Sequence, residues 1–134
     1  MEYKHHEKII QHYFIGLFLY LMIVPLVIFD ICTELYHRIC FPLYGLPYVQ
    51  RSKYIRLDRH KLNYLSWIDK LNCDYCGYIN GLLYYTSTIA AETEKYWCSI
   101  KHEGKKDFIP PPHHARFLPY GNEEAYKEFI NNKR

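Results

Sequence analysis

From Tyr13 to Phe29 the sequence reads YFIGLFLYLMIVPLVIF, 17 residues without a charge. A helix of that composition has no polar face to offer water, and the rest of a 134-residue chain is too small to cover it on every side. A membrane-crossing helix needs about 20 mainly apolar residues, with a lower limit near 17. The run therefore reads as a membrane anchor. No small-x-small cleavage pattern follows in FDICTELYHRIC, so the anchor is expected to be uncleaved. Pro25 removes a backbone donor inside the run and predicts a kink, which also admits a tilted or re-entrant helix.

Past Asp30 the chain mixes Leu, Ile, Phe and Tyr with isolated charges, then turns at Pro42, Gly45 and Pro47. That pattern predicts an interfacial helix followed by an extended loop. Arg51, Lys53, Arg56, Arg59 and Lys61 follow, with aromatic rings among and after them. Cations beside an anchor suit anionic lipid headgroups, each contributing on the order of 1 kcal/mol. The same residues would also serve as an ordinary solvated face. A net charge of +3, without a glycine-aromatic recognition motif, gives no reason to expect nucleic acid as a partner. Lys4 and Lys8 flank the run on its N-terminal side, while more positive charge follows it, which places the C-terminal domain in the cytoplasm. In that reducing compartment thiols favour a metal over a disulfide.

Three of the five cysteines fall in LNCDYCGYINGLLYYTSTIAAETEKYWCSIKH. A helix is expected over residues 62–71, then a tight turn carrying Cys73 and Cys76, then a second helix ending near Tyr96. The second helix would bury a stripe of Ile79, Leu82, Leu83, Thr86, Ile89, Ala90, Thr93 and Trp97. If it folds back, Cys98 and His102 meet the first cysteine pair. Cys73, Cys76, Cys98 and His102 then make a closed Cys₃His shell, the chemistry of structural zinc, and a small domain gains folding free energy from such an ion. His113 and His114, after three prolines, are alternate ligands, though paired histidines on a loop are usually solvated. An open shell with His102 or Glu94 as base would instead make a hydrolase.

Two other chemistries compete. Cys73 and Cys76 at a helix N-terminus would suit thiol–disulfide exchange, with Cys73 attacking and Cys76 resolving, but no βαβ pattern surrounds them. Glu34-x-x-His37 has the spacing of di-iron helices, yet the second such pair is Glu2 and His5 near the terminus, so iron is less favoured than zinc. No nucleophile elbow, phosphate loop or dinucleotide fingerprint occurs. Asn122 caps a short final helix whose Ala125, Phe129 and Ile130 would dock it.

The motifs LYHRICFPLYGLPYV, YIRLDRHKLNYL, LNCDYCGYINGLLYYTSTIAAETEKYWCSIKH and HHARFLPYG together resemble a group of small bacterial membrane-associated proteins, over Leu35 to Phe129. The resemblance implies a bacterial domain with a hydrophobic N-terminal segment, hence the inner membrane, and brings no activity with it. The expected architecture is mainly α: an anchor over 1–30, an interfacial basic segment over 31–61, and a small helical domain organised by the Cys/His metal site over 62–134. The expected function is a zinc-binding adaptor or assembly factor that recruits a lipid or membrane protein partner. A membrane-bound thiol oxidoreductase or metal-dependent enzyme is the alternative.

Overall fold

The computed structural model describes residues 9–132 and is mainly helical. Glu2, Lys4, His5 and Lys8, used in the sequence reading, lie outside the described residues. The elements are α1 (Ile9–Leu21), α2 (Ile23–Tyr44), α3 (Trp67–Trp97) and α4 (Glu123–Asn132), with 3-10 turns at Arg51–Lys53, Arg59–Lys61 and Pro112–Arg116. The chain divides into two compact units, residues 1–83 and 84–134, and the division falls inside α3.

In the first unit, α1 and α2 are parted by the single residue Met22. Pro25 explains the break: without an N–H it leaves the Leu21 carbonyl unclaimed, and the ladder resumes with Leu26 N–H donating to the Met22 carbonyl at 3.3 Å. Helix α2 does not stop at the end of the charge-free run. It continues to Tyr44 and ends where Gly45 takes the left-handed conformation (φ 66°). Leu46 N–H donates to Phe41 and Gly45 N–H to Pro42, a Schellman closure. The stretch Tyr13–Tyr44 is long and apolar enough to cross a membrane, by length and composition.

Its burial pattern is inverted. Asp30, Thr33, His37 and Phe41, spaced three and four apart on one face of α2, are buried, while Val24, Ile28, Ile31, Leu35 and Leu43 are exposed. Asp30 and His37 find partners among near neighbours. Arg51 donates to both oxygens of Asp30 (2.5 and 2.6 Å) and reaches Glu34 at 3.3 Å. The Tyr78 hydroxyl donates to Asp30 Oδ2 at 2.7 Å. His37 Nε2 accepts from the Val49 N–H at 3.1 Å, and its ring stacks on Tyr48 and meets Phe41 edge-on. Phe41, fully buried, contributes about 1.5–3 kcal/mol by leaving water.

Burial, and then the bond to Asp30, push the Tyr78 phenol up to about 12 from its ordinary 10.0. A raised acid contributes stability that is whole below its unfolded value and is lost as pH rises through the folded one. Tyr78 should therefore titrate near pH 12 in the folded chain, together with a loss of helicity. The difference in absorbance at 295 nm between wild type and Tyr78→Phe reads this directly; equal curves below pH 11 would agree with it, and a difference near pH 10 would refute it.

Helix α3 corrects the expected helix-turn-helix. Ser66 caps its start, its Oγ accepting from Asp69 N–H (3.2 Å) while its hydroxyl donates to Asp69 Oδ2 (2.7 Å). From there the helix runs unbroken through Gly77. Glycine is required at 81 because the backbone of Tyr54 and Ile55 lies against this face. A Cβ at Gly81 would stand 2.6 Å from the Tyr54 carbonyl oxygen. The buried face is also rotated from the expected stripe: Leu82, Tyr85 and Ile89 are buried, and Leu83, Ala90 and Trp97 are exposed. In the second unit Tyr85, Ile89 and Phe117 form the apolar core. Helix α4 begins as expected, with Asn122 Oδ1 accepting from Ala125 N–H at 2.9 Å.

Candidate metal centre

The predicted Cys₃His set is not brought together. Cys73 and Cys76 lie inside α3, on its second and third turns, and an uninterrupted helix cannot fold its beginning back on its end. Cys76 is exposed and Cys73 half-buried, while Cys98 is exposed just past the helix. The helix N-terminus that was to favour a Cys73 thiolate is also not there, because that field fades within the first turn. Glu34 and His37, the di-iron candidate, have other work in the Arg51 network and the Val49 bond.

Of the proposed headgroup cations, Arg51 is committed to Asp30 and Glu34. Lys53, Arg56, Arg59 and Lys61 are exposed, with Arg59 3.8 Å from Asp58.

A different constellation forms in the second unit. Past α3 the chain pairs with the 118 region: Lys101 N–H donates to Leu118 and Leu118 N–H to Ser99, at 2.9 and 2.8 Å. This pairing lays His102 beside the segment that starts at the prolines. Pro111 is extended (φ −56°, ψ 144°), and Pro112, which needs no hydrogen-bond acceptor, opens the 3-10 turn. His114 N–H and Phe117 N–H close that turn on Pro111 and His114. The turn carries His114 inward to 2 % exposure, stacked on Phe117 with ring centroids 4.7 Å apart.

Glu94, on the last turns of α3, meets both histidines. One carboxylate oxygen lies 2.6 Å from His113 Nε2 and the other 2.9 Å from His114 Nε2. The hydrogen bond from His113, reinforced by His114 against the cost of burial, holds the Glu94 carboxyl below the usual carboxylate range. His114 turns its Nε2 toward Glu94, which leaves Nδ1 on the other edge of the ring. That atom is buried and has no hydrogen-bond partner. An orphaned polar atom of this kind costs about 1–3 kcal/mol.

The His102 ring lies 5.4 Å from that of His114. One ligand atom from each of Glu94, His102 and His114 falls within 4.8 Å of the other two, and this is the group among the described residues placed to share an ion. A tetrahedral shell at zinc–nitrogen and zinc–oxygen bond lengths separates its ligand atoms by about 3.3 Å, so a modest contraction closes the set.

His102 and the alternates His113 and His114 were legible as ligand candidates, and Glu94 as a base. Their convergence was not, because it depends on the 99–101 pairing with 118. Comparison with family models, curated proteins and solved structures finds no match to this chain.

Proposed function

We propose that the protein is a membrane-anchored metal-binding protein whose second unit holds one divalent transition metal on Glu94, His102 and His114. The observation that carries this reading is the convergence of a carboxylate and two imidazoles whose ligand atoms lie within 4.8 Å of one another. Two histidines and one carboxylate suit zinc and ferrous iron alike. His113, bonded to the second oxygen of Glu94, orients that ligand as outer-shell partners do.

The anchor part of the reading is supported by the inverted α2. Apolar side chains face outward while Asp30, Thr33 and His37 face inward, the arrangement that lipid rather than water rewards. Tyr64, Trp67, Ile68 and Leu71 are exposed in the same unit as Lys53, Arg56, Arg59 and Lys61, a combination suited to an interface of anionic headgroups. The inner membrane of a bacterium is the setting that the family resemblance proposes. An adaptor role there, recruiting a membrane protein partner to the metal unit, needs no catalysis.

The test is metal content of the full chain purified in detergent, after loading with zinc and dialysis. About one zinc per chain is expected to be retained. His114→Ala and Glu94→Gln should each weaken retention at least roughly tenfold, while Cys73→Ser with Cys76→Ser leaves it unchanged. Retention lost only with the cysteines would overturn this ligand set in favour of Cys73, Cys76, Cys98 and His102. No retention at all would overturn the metal reading.

A further inference from the structure

His102 and His114 do more than face one another: both line a cleft of about 410 Å³ in the second unit, whereas Glu94 is not among its walls. An ion held by all three would therefore be reached through the wall of the cleft that the two imidazoles form. Three protein ligands leave a tetrahedral ion one position short. The cleft falls in the size range of sites for small molecules.

The walls around that position are chemically one-sided. Phe108, Pro110 and Pro111 supply apolar surface, and His102 meets Phe108 edge-on, with centroids 5.6 Å apart. Lys101 is the charged side chain other than histidine among the lining residues. Consecutive prolines have few conformations to lose, so the wall is in place before a ligand arrives, which lowers the ordering cost of binding.

Resting on the metal reading above, we propose that this open position binds a small carboxylate whose apolar portion occupies the cleft. One carboxylate oxygen coordinates the metal, Lys101 offsets the remaining negative charge, and Phe108 with the prolines takes the hydrocarbon or ring. A bare inorganic anion would satisfy the metal and Lys101 but leave the apolar walls wet. Apolar burial at about 25 cal/mol per Å² therefore separates the two classes of ligand.

The experiment uses the full chain in detergent, loaded with cobalt(II), whose visible absorption reports coordination. Phenylacetate and acetate are titrated separately. Saturable change with phenylacetate, at a dissociation constant at least roughly tenfold below that for acetate, is expected. Lys101→Ala should weaken phenylacetate binding by about threefold to tenfold without displacing cobalt. Ala115→Phe, which fills the cleft from its exposed wall, should abolish the phenylacetate preference and keep the cobalt spectrum.

Bound cobalt with a spectrum indifferent to phenylacetate would overturn the proposal and leave the metal site standing. Equal affinities for acetate and phenylacetate would remove the cleft from it. Failure to bind cobalt would bring down the metal reading and this inference together.

Discussion

Alanine at Gly81 is expected to destabilise the first unit, and alanine four residues earlier, at Gly77, to stabilise it. A Cβ on residue 81 would lie 2.6 Å from the Tyr54 carbonyl oxygen and 3.0 Å from the Ile55 Cα. Both are backbone atoms, so the clash cannot be relieved by a rotamer change. Overpacking of this kind costs about 1–3 kcal/mol, and a glycine-to-alanine gain in helix propensity of about 1 kcal/mol offsets only part of it.

At Gly77 the nearest atom is the Arg56 carbonyl oxygen at 3.6 Å, an ordinary contact, and the propensity gain stands alone. In detergent, Gly81→Ala should lower the melting temperature by roughly 5–10 °C, and Gly77→Ala should raise it by about 4 °C. Gly81→Val should be worse than Gly81→Ala. Shifts of the same sign at 77 and 81 would show that α3 does not pack on the 54–56 segment through its glycine face.

The second large effect belongs to Asp30. Its carboxylate accepts two bonds from Arg51 and one from Tyr78, and it is buried while Arg51 is about one-third exposed. Asp30→Leu strips the guanidinium of its two shortest bonds and the Tyr78 hydroxyl of its acceptor. Removing one member of such a pair costs about 3 kcal/mol, of which the exposure of Arg51 recovers a part. The expected loss in melting temperature is roughly 10 °C.

Asp30→Leu combined with Arg51→Leu should be less damaging than the two single losses added together, because the second change removes the stranded charge created by the first. A melting temperature unchanged by Asp30→Leu would show that the network contributes nothing net. Strict additivity would show that the two residues do not interact.

What the sequence revealed and what it concealed follow the range over which each signal acts. The apolar run, the Pro25 interruption and the Asn122 cap are local, and each was readable within a few residues. A cysteine pair before a glycine looks like punctuation, so a turn is expected at Cys73 and Cys76 where the chain is helix instead. Gly81, four residues on from Gly77, is the one whose small size serves a distant segment, the Tyr54 and Ile55 backbone, which no local window contains.

Tyr85 was likewise left off the expected apolar stripe, since tyrosine tolerates either face of a helix, and yet it is fully buried. For the metal centre, imidazoles after a proline run are indistinguishable from exposed ones until the 118 region pairs with residues 99–101. Only that pairing, with the 3-10 turn, sets His102 near His114 and seats His114 on Glu94.

On the membrane reading, the salt bridge between Asp30 and Arg51 would also order events during synthesis. The acid leaves the ribosome 21 residues ahead of its base. Until those residues follow, a bare carboxylate closes the greasiest part of the nascent chain and resists entry into hydrocarbon. On the membrane reading, the helix then waits at the surface and commits to its final depth when the arginine loop arrives. Insertion and the folding of the first unit become one step, with a stalled chain marked by an anchor that can still be washed away.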